Sequence, residues 1–208
     1  MKFYNYFRSS AAYRVRIALN LKGLKPERQE VHLVNNGGEQ RKPDYLAKNP
    51  QGLVPALELD NGTVLTQSLA IMEYLDGLRP APRLIPADPV LAAKVRAVAL
   101  TIACDIHPLN NLRVLNYLKG PLEHSQDDID AWYRHWILEG GLKSVEQMIS
   151  GGNFCFGDAP TLADICLIPQ VYNARRFNVS LESVPKILRV DAHCQALDGF
   201  LAAQPDRA

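Results

Sequence analysis

The chain has 208 residues, enough to bury a substantial core as one large domain or as two smaller ones. Its 23 Lys and Arg nearly balance 22 Asp and Glu, so its charge gives no field that would favour nucleic acid or an anionic membrane. No apolar run approaches the length of a bilayer span, and four scattered cysteines without a CxxC pair indicate reduced thiols. We therefore expect a soluble, cytoplasmic protein with no nucleic-acid or membrane partner.

The N-terminal stretch predicts a strand, a helix and a second strand. Residues 2–7 (KFYNYF) are rich in aromatic side chains, which favour strands, and residues 12–21 carry apolar side chains at helical spacing. Residues 29–34 (QEVHLV) predict the second strand. Because the crossover is short, the two strands are predicted to be parallel neighbours.

A hairpin and another helix follow after a loop. Residues 53–59 (LVPALEL) and 63–66 (TVLT) flank Asn61–Gly62, and an Asn-Gly pair between β-rich segments strongly indicates a hairpin. Residues 67–75 (QSLAIMEYL) have apolar side chains at helical spacing. The first part of the chain is therefore predicted to be an α/β domain with the order β-α-β, loop, β-β-α.

The segment 79–89 (RPAPRLIPADP) has four prolines and predicts a stiff connection, because proline has no amide donor and resists the helix interior. Strand patterns nearly vanish after it, and the remaining long segments predict helices. We therefore divide the chain into an α/β domain at residues 1–79, a proline-rich linker at 80–89 and an all-helical domain at 90–208.

Two pairs of polar residues lie where helices are predicted to begin. Ser9 and Ser10 precede a helix N-terminus, which favours negative charge, so a thiol bound beside them would ionise more readily. The alternative is that one serine caps the helix and the other is exposed. Gln67 and Ser68 present the same choice: either Ser68 is a simple cap, or the helix amides there bind a carboxylate.

Pro55 interrupts a predicted strand near its start, where it cannot donate to the sheet. It is either an ordinary trans proline or a cis proline that turns the Val54 backbone toward a cleft, and the order of the surrounding elements favours the cis form. An exposed strand edge there would pair with an extended peptide. Together with the two helix starts, this pattern describes a peptide thiol that lies across the α/β domain.

Six segments carry a resemblance to a known family: "SSAAYRVRIALNLKG" (9–23), "NPQGLVPAL" (49–57), "TQSLAIMEYL" (66–75), "RLIPADP" (83–89), "DIHPLNNLRVL" (105–115) and "FGDAPTLADICLIPQVYNARRF" (156–177). With them the chain resembles the cytosolic glutathione transferases, and within these the zeta class with its maleylacetoacetate and maleylpyruvate isomerases. The resemblance covers essentially the whole chain.

The resemblance implies an α/β thioredoxin-like N-terminal domain plus an all-α C-terminal domain, the cytosolic glutathione transferase architecture, in a homodimer. It also implies that glutathione binds the N-terminal domain and that the helical domain completes a pocket for a small dicarboxylate. The implied glutathione contacts are Ser9, Ser10, Gln40, Val54, Gln67 and Ser68, with His107 and Asn111 from the helical domain. Ser9 and Ser10 are the catalytic candidates.

One position departs from the family pattern. The usual motif SSCxWR has a cysteine third, whereas this chain has Ala11. A cysteine mechanism is therefore excluded at that position, and activation of the thiol depends on hydroxyls, amides and the helix terminus.

Three arginines are candidates for binding the substrate carboxylates, because a guanidinium binds carboxylates in a bidentate way. They are Arg8, beside the serine pair, Arg113 and Arg176. The alternative is a solvated side chain or a surface ion pair, and Arg175 and Arg176 could equally hold helices together. We assign no metal ligands, since the histidines show no metal spacing.

Two further motifs are assigned structural roles. Thr161 and Asp164 form a capping arrangement at the start of a core helix. Trp132 and Trp136 are four residues apart and are predicted to pack along one helix face.

The expected activity is the glutathione-dependent cis–trans isomerisation of a maleyl-type dicarboxylate. Thiolate addition turns the double bond into a single bond that rotates, and loss of the thiolate restores a trans double bond. Maleylacetoacetate is the first choice of substrate, and maleylpyruvate is the alternative. A general transferase that consumes glutathione on α-halo acids, or a binding protein without turnover, stays open.

Overall fold

The computed structural model describes residues 1–205 and 207. The chain divides into two compact units: one contains Met1–Leu84 and the C-terminal segment from Leu197, and the other contains Ile85–Ala196. The sequence pattern assigns the C-terminal segment to the helical domain, but the last helix of the chain packs on the first one instead. Phe200 in that helix is fully buried, so the segment is part of the first unit's core.

The first unit is built around a mixed sheet. Its strands are β1 (Lys2–Asn5), β2 (Glu27–Glu30), β3 (Ala56–Glu58) and β4 (Val64–Thr66). The spatial order is β2-β1-β3-β4; β1 and β2 are parallel, and the other neighbouring pairs are antiparallel. The predicted parallel pair and the predicted hairpin are therefore both confirmed.

Helices make up most of the remaining regular structure. In chain order they are α1 (Ser10–Leu21), α2 (Pro43–Leu46), α3 (Ser68–Leu78), α4 (Pro89–Leu100), α5 (Leu112–Lys119), α6 (Gln126–Arg134), α7 (Lys143–Met148), α8 (Leu162–Arg176), α9 (Pro185–Gln195) and α10 (Asp198–Leu201). Short 3₁₀ turns lie at Asn35–Gly37, Glu39–Arg41 and Pro108–Asn110. The second unit contains α4 to α9 and no strand among its described residues.

Strand β2 lies earlier in the chain than its sequence pattern predicts. The sequence predicts a strand at 29–34, but pairing with β1 runs from Lys2 opposite Glu27 to Asn5 opposite Glu30. The side chains of β2 are polar and exposed, as suits an edge strand, whereas Val31 just after it is buried. Of the apolar residues that suggested a strand, Val31 and the partly buried Leu33 pack after the strand has ended, whereas Val34 is exposed.

The turn between β3 and β4 is the predicted Asn61–Gly62 hairpin. Leu59 N donates a hydrogen bond to Thr63 O at 2.8 Å, and Gly62 N donates to Leu59 O at 2.9 Å. Gly62 has a φ of 83°, which glycine adopts without the clash that a Cβ would cause. The register between the strands follows from this short turn.

The sheet contributes to the core on both faces. Phe3 and Leu57 point to one face and are fully buried. Tyr4 and Ala56 point to the opposite face, as strand alternation requires, and cluster there with Tyr45 of α2. The rings of Tyr4 and Tyr45 meet edge to face with their centres 5.7 Å apart, so α2 covers this face of the sheet.

The start of the proline-rich segment is held by a buried ion pair. Lys22 Nζ lies 2.6 Å from Asp76 Oδ1 and also donates to the carbonyl oxygens of Arg79, at 2.7 Å, and of Pro82. Asp76 Oδ1 also accepts a hydrogen bond from Leu84 N at 2.8 Å. Residues up to Leu84 therefore belong to the first unit, beyond the predicted boundary.

Two π-helical stretches interrupt the helices of the second unit. Thr101–Ile106 continues α4, and His135–Leu142 lies between α6 and α7. The two stretches pack on each other at Gly141, where an added Cβ would lie 2.6 Å from Ile106 Cδ1. The sequence pattern predicts helix in both places but does not reveal the wider turns.

The predicted capping arrangement at the start of α8 is confirmed. Asp164 Oδ2 accepts hydrogen bonds from Thr161 N at 2.8 Å and Thr161 Oγ1 at 2.9 Å, and Asp164 Oδ1 accepts one from Cys155 N at 2.7 Å. A second capping box, Ser125 with Asp128, starts α6 at the surface. The chain therefore contains a buried and an exposed version of one motif.

No helix in the described part of the chain is long and apolar enough to cross a membrane. All four cysteines are free thiols; Cys104 is exposed, and Cys155, Cys166 and Cys194 are buried. Among residues 1–205 and 207, no group of three or more His, Cys, Asp or Glu side chains is placed to hold a metal ion.

We expect Asp164→Asn to lower the free energy of unfolding by about 2 kcal/mol or more, because an amide cannot accept on both sides and leaves a buried N–H without an acceptor. Chemical denaturation measures this loss. Asp128→Asn in the exposed box is the matched control and should have a clearly smaller effect, because water replaces the lost acceptor. Equal losses in the two variants would contradict the role given to burial.

Candidate functional site

Three backbone segments meet at one end of the sheet. Tyr4 of β1 is opposite Ala56 of β3, and Ala56 is opposite Thr66 of β4, so the three residues form one row. Because β3 runs opposite to β1 and β4, the turn after β1, the loop before β3 and the turn after β4 all extend beyond this row. These segments carry the residues predicted to bind a thiol, a peptide backbone and a carboxylate.

Ser9 caps α1, and Ser10 is the first residue of that helix. Ser9 Oγ accepts a hydrogen bond from Ala12 N at 3.2 Å, and Ser9 N donates to Tyr6 O at 2.9 Å. The capping bond uses Ser9 Oγ as an acceptor and leaves its O–H as a donor. Since the Ser10 side chain is buried and Ser9 is partly exposed, Ser9 is the more accessible of the two hydroxyls.

Arg8 is exposed on the turn that precedes Ser9. Its guanidinium carbon lies 5.1 Å from the centre of the Phe7 ring, a cation–π contact. The alternative of a surface ion pair is not realised among the described residues, where the ion pairs involve other side chains.

The Val54–Pro55 peptide bond is cis, as the element order predicts. The carbonyl of Leu53, just before this bond, is held by two side chains. Tyr45 Oη donates to Leu53 O at 2.6 Å, and Asn49 Nδ2 donates to the same oxygen at 2.7 Å. Burial raises the pKa of Tyr45 to about 12, so its hydroxyl stays a donor at neutral pH. Tyr45 and Asn49 are not among the predicted site residues, although Asn49 begins one of the segments that carry the family resemblance.

Helix α3 begins at Ser68, and its N-cap is Gln67, whose φ is 68°. A side chain at positive φ carries a backbone strain of about 1–3 kcal/mol, and such residues cluster at ligand-binding sites. Gln67 Nε2 donates to Gln51 Oε1 at 2.8 Å, and Ser68 Oγ accepts from Arg14 Nη1 at 3.2 Å. The simple cap by Ser68 is therefore not the arrangement observed.

Arg14 connects the starts of two helices. It belongs to α1, is almost fully buried, and donates to Ser68 at the start of α3. It is not among the predicted site residues, although a cation at the edge of an otherwise apolar helix face is a signal that could have revealed it.

Gln40 is buried in the loop between β2 and α2. Its Nε2 donates to Leu33 O at 3.3 Å, while its Oε1 is buried and has no hydrogen-bond partner among the described residues. Gly37 and Gly38 lie just before it in the chain, and a Cβ on Gly38 would lie 2.7 Å from the side-chain amide of Gln40. A buried acceptor without a partner is a place where a bound donor would fit.

His107 and Asn111 lie at the two ends of a short segment of the second unit. His107 ends the π-helical stretch, with its N–H donating to Ile102 O at 3.0 Å. Asn111 caps α5, where its Oδ1 accepts from the backbone N–H of Arg113 at 3.1 Å. The capping role leaves the Asn111 amide nitrogen as a donor.

Trp132 ties that segment to α6. Its Nε1 donates to Leu109 O at 2.9 Å, and its ring lies 5.7 Å from that of Trp136, centre to centre. The predicted packing of the two tryptophans along one helix is confirmed, and the hydrogen bond adds a contact that spacing alone does not predict.

The two adjacent arginines at the end of α8 have different surroundings. Arg175 forms an ion pair with the buried carboxylate of Asp191 on α9, so it does hold two helices together. The Arg176 guanidinium carbon lies 5.3 Å from the centre of the Phe177 ring, which stacks on Tyr133 at 3.7 Å. Arg176 is exposed, as is Arg113 on α5.

The first unit offers two helix N-termini beyond one end of its sheet. The first amides of a helix have no partner within the helix, and its dipole favours negative charge. Ser9 adds a hydroxyl at α1, and Ser68 adds one at α3. An extended molecule with a thiolate at one end and a carboxylate at the other matches this arrangement, and the buried Gln40 acceptor adds a contact for a donor.

Comparison with known proteins agrees with this geometry. Residues 8–78 match the family model described as "Glutathione S-transferase, N-terminal domain". Maleylacetoacetate isomerase from Pseudomonas aeruginosa is 49% identical over 205 residues, which cover 99% of this chain and 96% of that protein.

Two solved structures are similar over the whole chain. One is a holo maleylpyruvate isomerase, described as a bacterial zeta-class glutathione S-transferase; it has a TM-score of 0.95 and 45% identity, covering 100% of this chain and 98% of that one. The other is maleylacetoacetate isomerase from Methylobacterium extorquens AM1 with bound malonate and GSH, with a TM-score of 0.94 and 40% identity over the same shares. The predicted thioredoxin-like and all-α fold class is confirmed, and the chain belongs to the glutathione S-transferase family, in the zeta class with the maleylacetoacetate isomerases.

Proposed function

We propose that this chain is a glutathione-dependent isomerase that converts a maleyl-type cis dicarboxylate into its trans isomer. The observation that carries the proposal is the pair of helix N-termini beyond one end of the sheet, with Ser9 at one and Ser68 at the other. The names of the relatives support it, since those that match almost the whole chain include a maleylacetoacetate isomerase and a maleylpyruvate isomerase.

Glutathione, when bound, supplies a thiolate that adds to the double bond, permits rotation and then leaves, so that none is consumed. The task of the chain is to keep this thiol ionised and aligned. Ser9 donates a hydrogen bond to the sulfur through its O–H, and the first amides and dipole of α1 stabilise its negative charge. With Ala11 in place of the family's cysteine, Ser9 is the leading catalytic residue and Ser10 the second candidate.

The rest of the glutathione molecule is assigned to the other segments at this end of the sheet. Val54 pairs with its peptide backbone, because the loop before β3 presents an extended edge. Gln67 and Ser68 bind a carboxylate at the start of α3, where the dipole favours an anion. Gln40 accepts from a donor of the cofactor through its buried Oε1. His107 and Asn111 of the second unit are proposed as further contacts.

The substrate carboxylates are assigned to arginines. Arg8 stands on the turn that carries Ser9, and it is the first candidate. Arg176 is the second, because its charge is exposed while its neighbour Arg175 is used in an ion pair. Arg113, exposed on α5, is the third. A guanidinium that binds a carboxylate also stabilises negative charge that develops on the substrate.

Maleylacetoacetate is the proposed substrate, and maleylpyruvate is the alternative. The Pseudomonas aeruginosa relative carries the first name, and the solved zeta-class structure carries the second. The bound malonate and GSH of another solved relative support a site for a dicarboxylate beside glutathione. We also infer a homodimer from the family, and a cytoplasmic location from the four free cysteines.

The first test follows glutathione during turnover. We expect the absorbance of maleylacetoacetate to change while the total thiol concentration stays constant, because the thiolate is regenerated in each cycle. Titration of thiols alongside the absorbance assay measures both quantities. Loss of thiol in proportion to product would identify a conjugating transferase, for example of α-halo acids, and binding of glutathione with no change in either quantity would identify a binding protein. Parallel kinetics with maleylpyruvate decide between the two substrates.

The second test compares the two serines. We expect Ser9→Ala to lower kcat on the order of 10²-fold, the usual cost of one donor that stabilises charge, with a much smaller effect on the Kd of glutathione. Ser10→Ala is the matched control, and its effect on kcat should be smaller because that side chain is buried. Since Ser9→Ala also removes a cap worth about 1 kcal/mol, the assays are run well below the melting temperature of the variant. An unchanged kcat would contradict the role of the hydroxyl.

The third test compares the two adjacent arginines. We expect Arg176→Ala to raise the KM for the dicarboxylate about tenfold or more, because a charge-assisted contact is lost. Arg175→Ala is the matched control; it breaks the pair with Asp191, so it should lower Tm and leave KM nearly unchanged. Steady-state kinetics and thermal melts measure both variants. If KM stays the same in Arg176→Ala, this arginine does not bind the substrate.

A further inference from the structure

A buried guanidinium lies beneath the turn that carries Ser9. Arg16 is on α1, and its side chain is fully buried. It donates hydrogen bonds to Ala203 O, Asn5 Oδ1 and Phe7 O, each at 2.9 Å, and to Tyr6 O at 3.4 Å. The sequence suggests no role for it, because its acceptors lie in other segments of the chain.

Two of these acceptors belong to the turn between β1 and α1. Ser9 N also donates to Tyr6 O, at 2.9 Å, so this oxygen accepts from both the cap residue and Arg16. The next carbonyl, of Phe7, accepts from the other arm of the same guanidinium. The turn is therefore held at two consecutive peptide groups by one planar side chain, which fixes its orientation as well as its position.

The geometry of the peptide groups connects the hydrogen bonds of Arg16 to the position of the cap residue Ser9. In a trans peptide the C=O and the N–H point in opposite directions, so carbonyls aimed at Arg16 turn the amides of Phe7 and Arg8 away from it. Ser9 is the next residue, so the conformation of this turn also sets where Ser9 Oγ lies when it accepts from Ala12 N. A change in this turn would therefore displace the hydroxyl proposed to contact the sulfur.

The guanidinium is itself held by distant parts of the first unit. Asn5, which accepts from Arg16, donates through Nδ2 to Glu30 Oε1 at 2.7 Å, so the network reaches β2. On the other side Ala203, in the C-terminal segment, is fully buried. Because arginine keeps its charge at every physiological pH, these charge-assisted bonds do not weaken when the pH changes.

We propose that Arg16 is a positioning residue for Ser9: it holds the turn Tyr6–Ser9 so that the Ser9 hydroxyl meets the glutathione sulfur. The C-terminal segment takes part by supplying one acceptor, the carbonyl oxygen of Ala203. This inference rests on the proposed function, since it assumes that glutathione binds with its sulfur at α1.

The test is a double-mutant cycle between Arg16→Lys and Ser9→Ala. Lysine keeps the charge but cannot bond both peptide groups as a planar fork does. The main readout is the pKa of the thiol in bound glutathione, from thiolate absorbance in the ultraviolet, and kcat is the second. We expect Arg16→Lys alone to move that pKa toward the value for free glutathione and to lower kcat about tenfold. When Ser9 is already replaced by alanine, Arg16→Lys should change kcat by less than about twofold.

A matched control separates positioning from stability. Asn20→Ala removes the hydrogen bond from Asn20 Nδ2 to Gly199 O, at 2.9 Å, which also fastens the C-terminal segment to α1 but does not touch the turn. Asn20→Ala should lower Tm and leave the thiol pKa unchanged. Its effect on kcat should multiply with that of Ser9→Ala, as expected for independent sites. If Arg16→Lys does not fold, Asn5→Ala replaces it, because it removes one acceptor of Arg16 and leaves the charge in place; we expect the same coupling to Ser9→Ala.

The outcomes distinguish this inference from the proposed function. If the wild-type chain does not bind glutathione in calorimetry, or binds it with an unshifted thiol pKa, the proposed function itself is wrong. If glutathione binds with a lowered thiol pKa but the effects of Arg16→Lys and Ser9→Ala multiply within about twofold, Arg16 has only a structural role and the inference is overturned. The inference is supported if the effects of Arg16→Lys and Ser9→Ala on kcat are coupled while those of Asn20→Ala and Ser9→Ala multiply.

Discussion

The row of paired residues Tyr4, Ala56 and Thr66 determines where the candidate site of the first unit lies. Because β3 is antiparallel to both of its neighbours, one loop that enters the sheet and two turns that leave it must come together at the same end. One of those turns starts α1 and the other starts α3, so two helix N-termini are oriented by a sheet of very short strands. The chemistry proposed for the site follows from that strand order.

Helix α1 and its C-cap residue anchor other segments of the first unit with cationic side chains. Arg14 donates to Ser68 at the start of α3, Arg16 holds the turn before Ser9, and Lys22 fastens the start of the proline-rich segment. Burying charged groups costs free energy that hydrogen bonds must offset, and an apolar helix would often be as stable. What these cations provide is position, since each has acceptors in a different segment of the first unit. The same helix therefore packs the core and aligns the site.

The candidates in the second unit illustrate how one residue combines two roles. Asn111 caps α5 with its amide oxygen, which leaves the nitrogen as a donor for the contact proposed above. Trp132, predicted only to pack, donates to Leu109 O and so holds the segment between His107 and Asn111. At the end of α8, Arg175 is committed to Asp191 while Arg176 is not. Among the described residues only Arg175 of this pair forms an ion pair, so two adjacent residues of the same type differ in availability.

Local signals in the sequence determined much of this protein. The hairpin at Asn61–Gly62 and the capping of α8 by Asp164 depend on residues within a few positions of each other, so pattern and residue type are enough to predict them. The serine at the first helix start and the motif that carries the family resemblance are local for the same reason. Tertiary structure decided what depends on distant partners: the register of β2 against β1, the attachment of the C-terminal segment to the first unit, and the contact between Arg16 and Ala203, which are 187 residues apart. No short window of sequence contains both members of such a pair, and only the folded chain brings them within hydrogen-bonding distance.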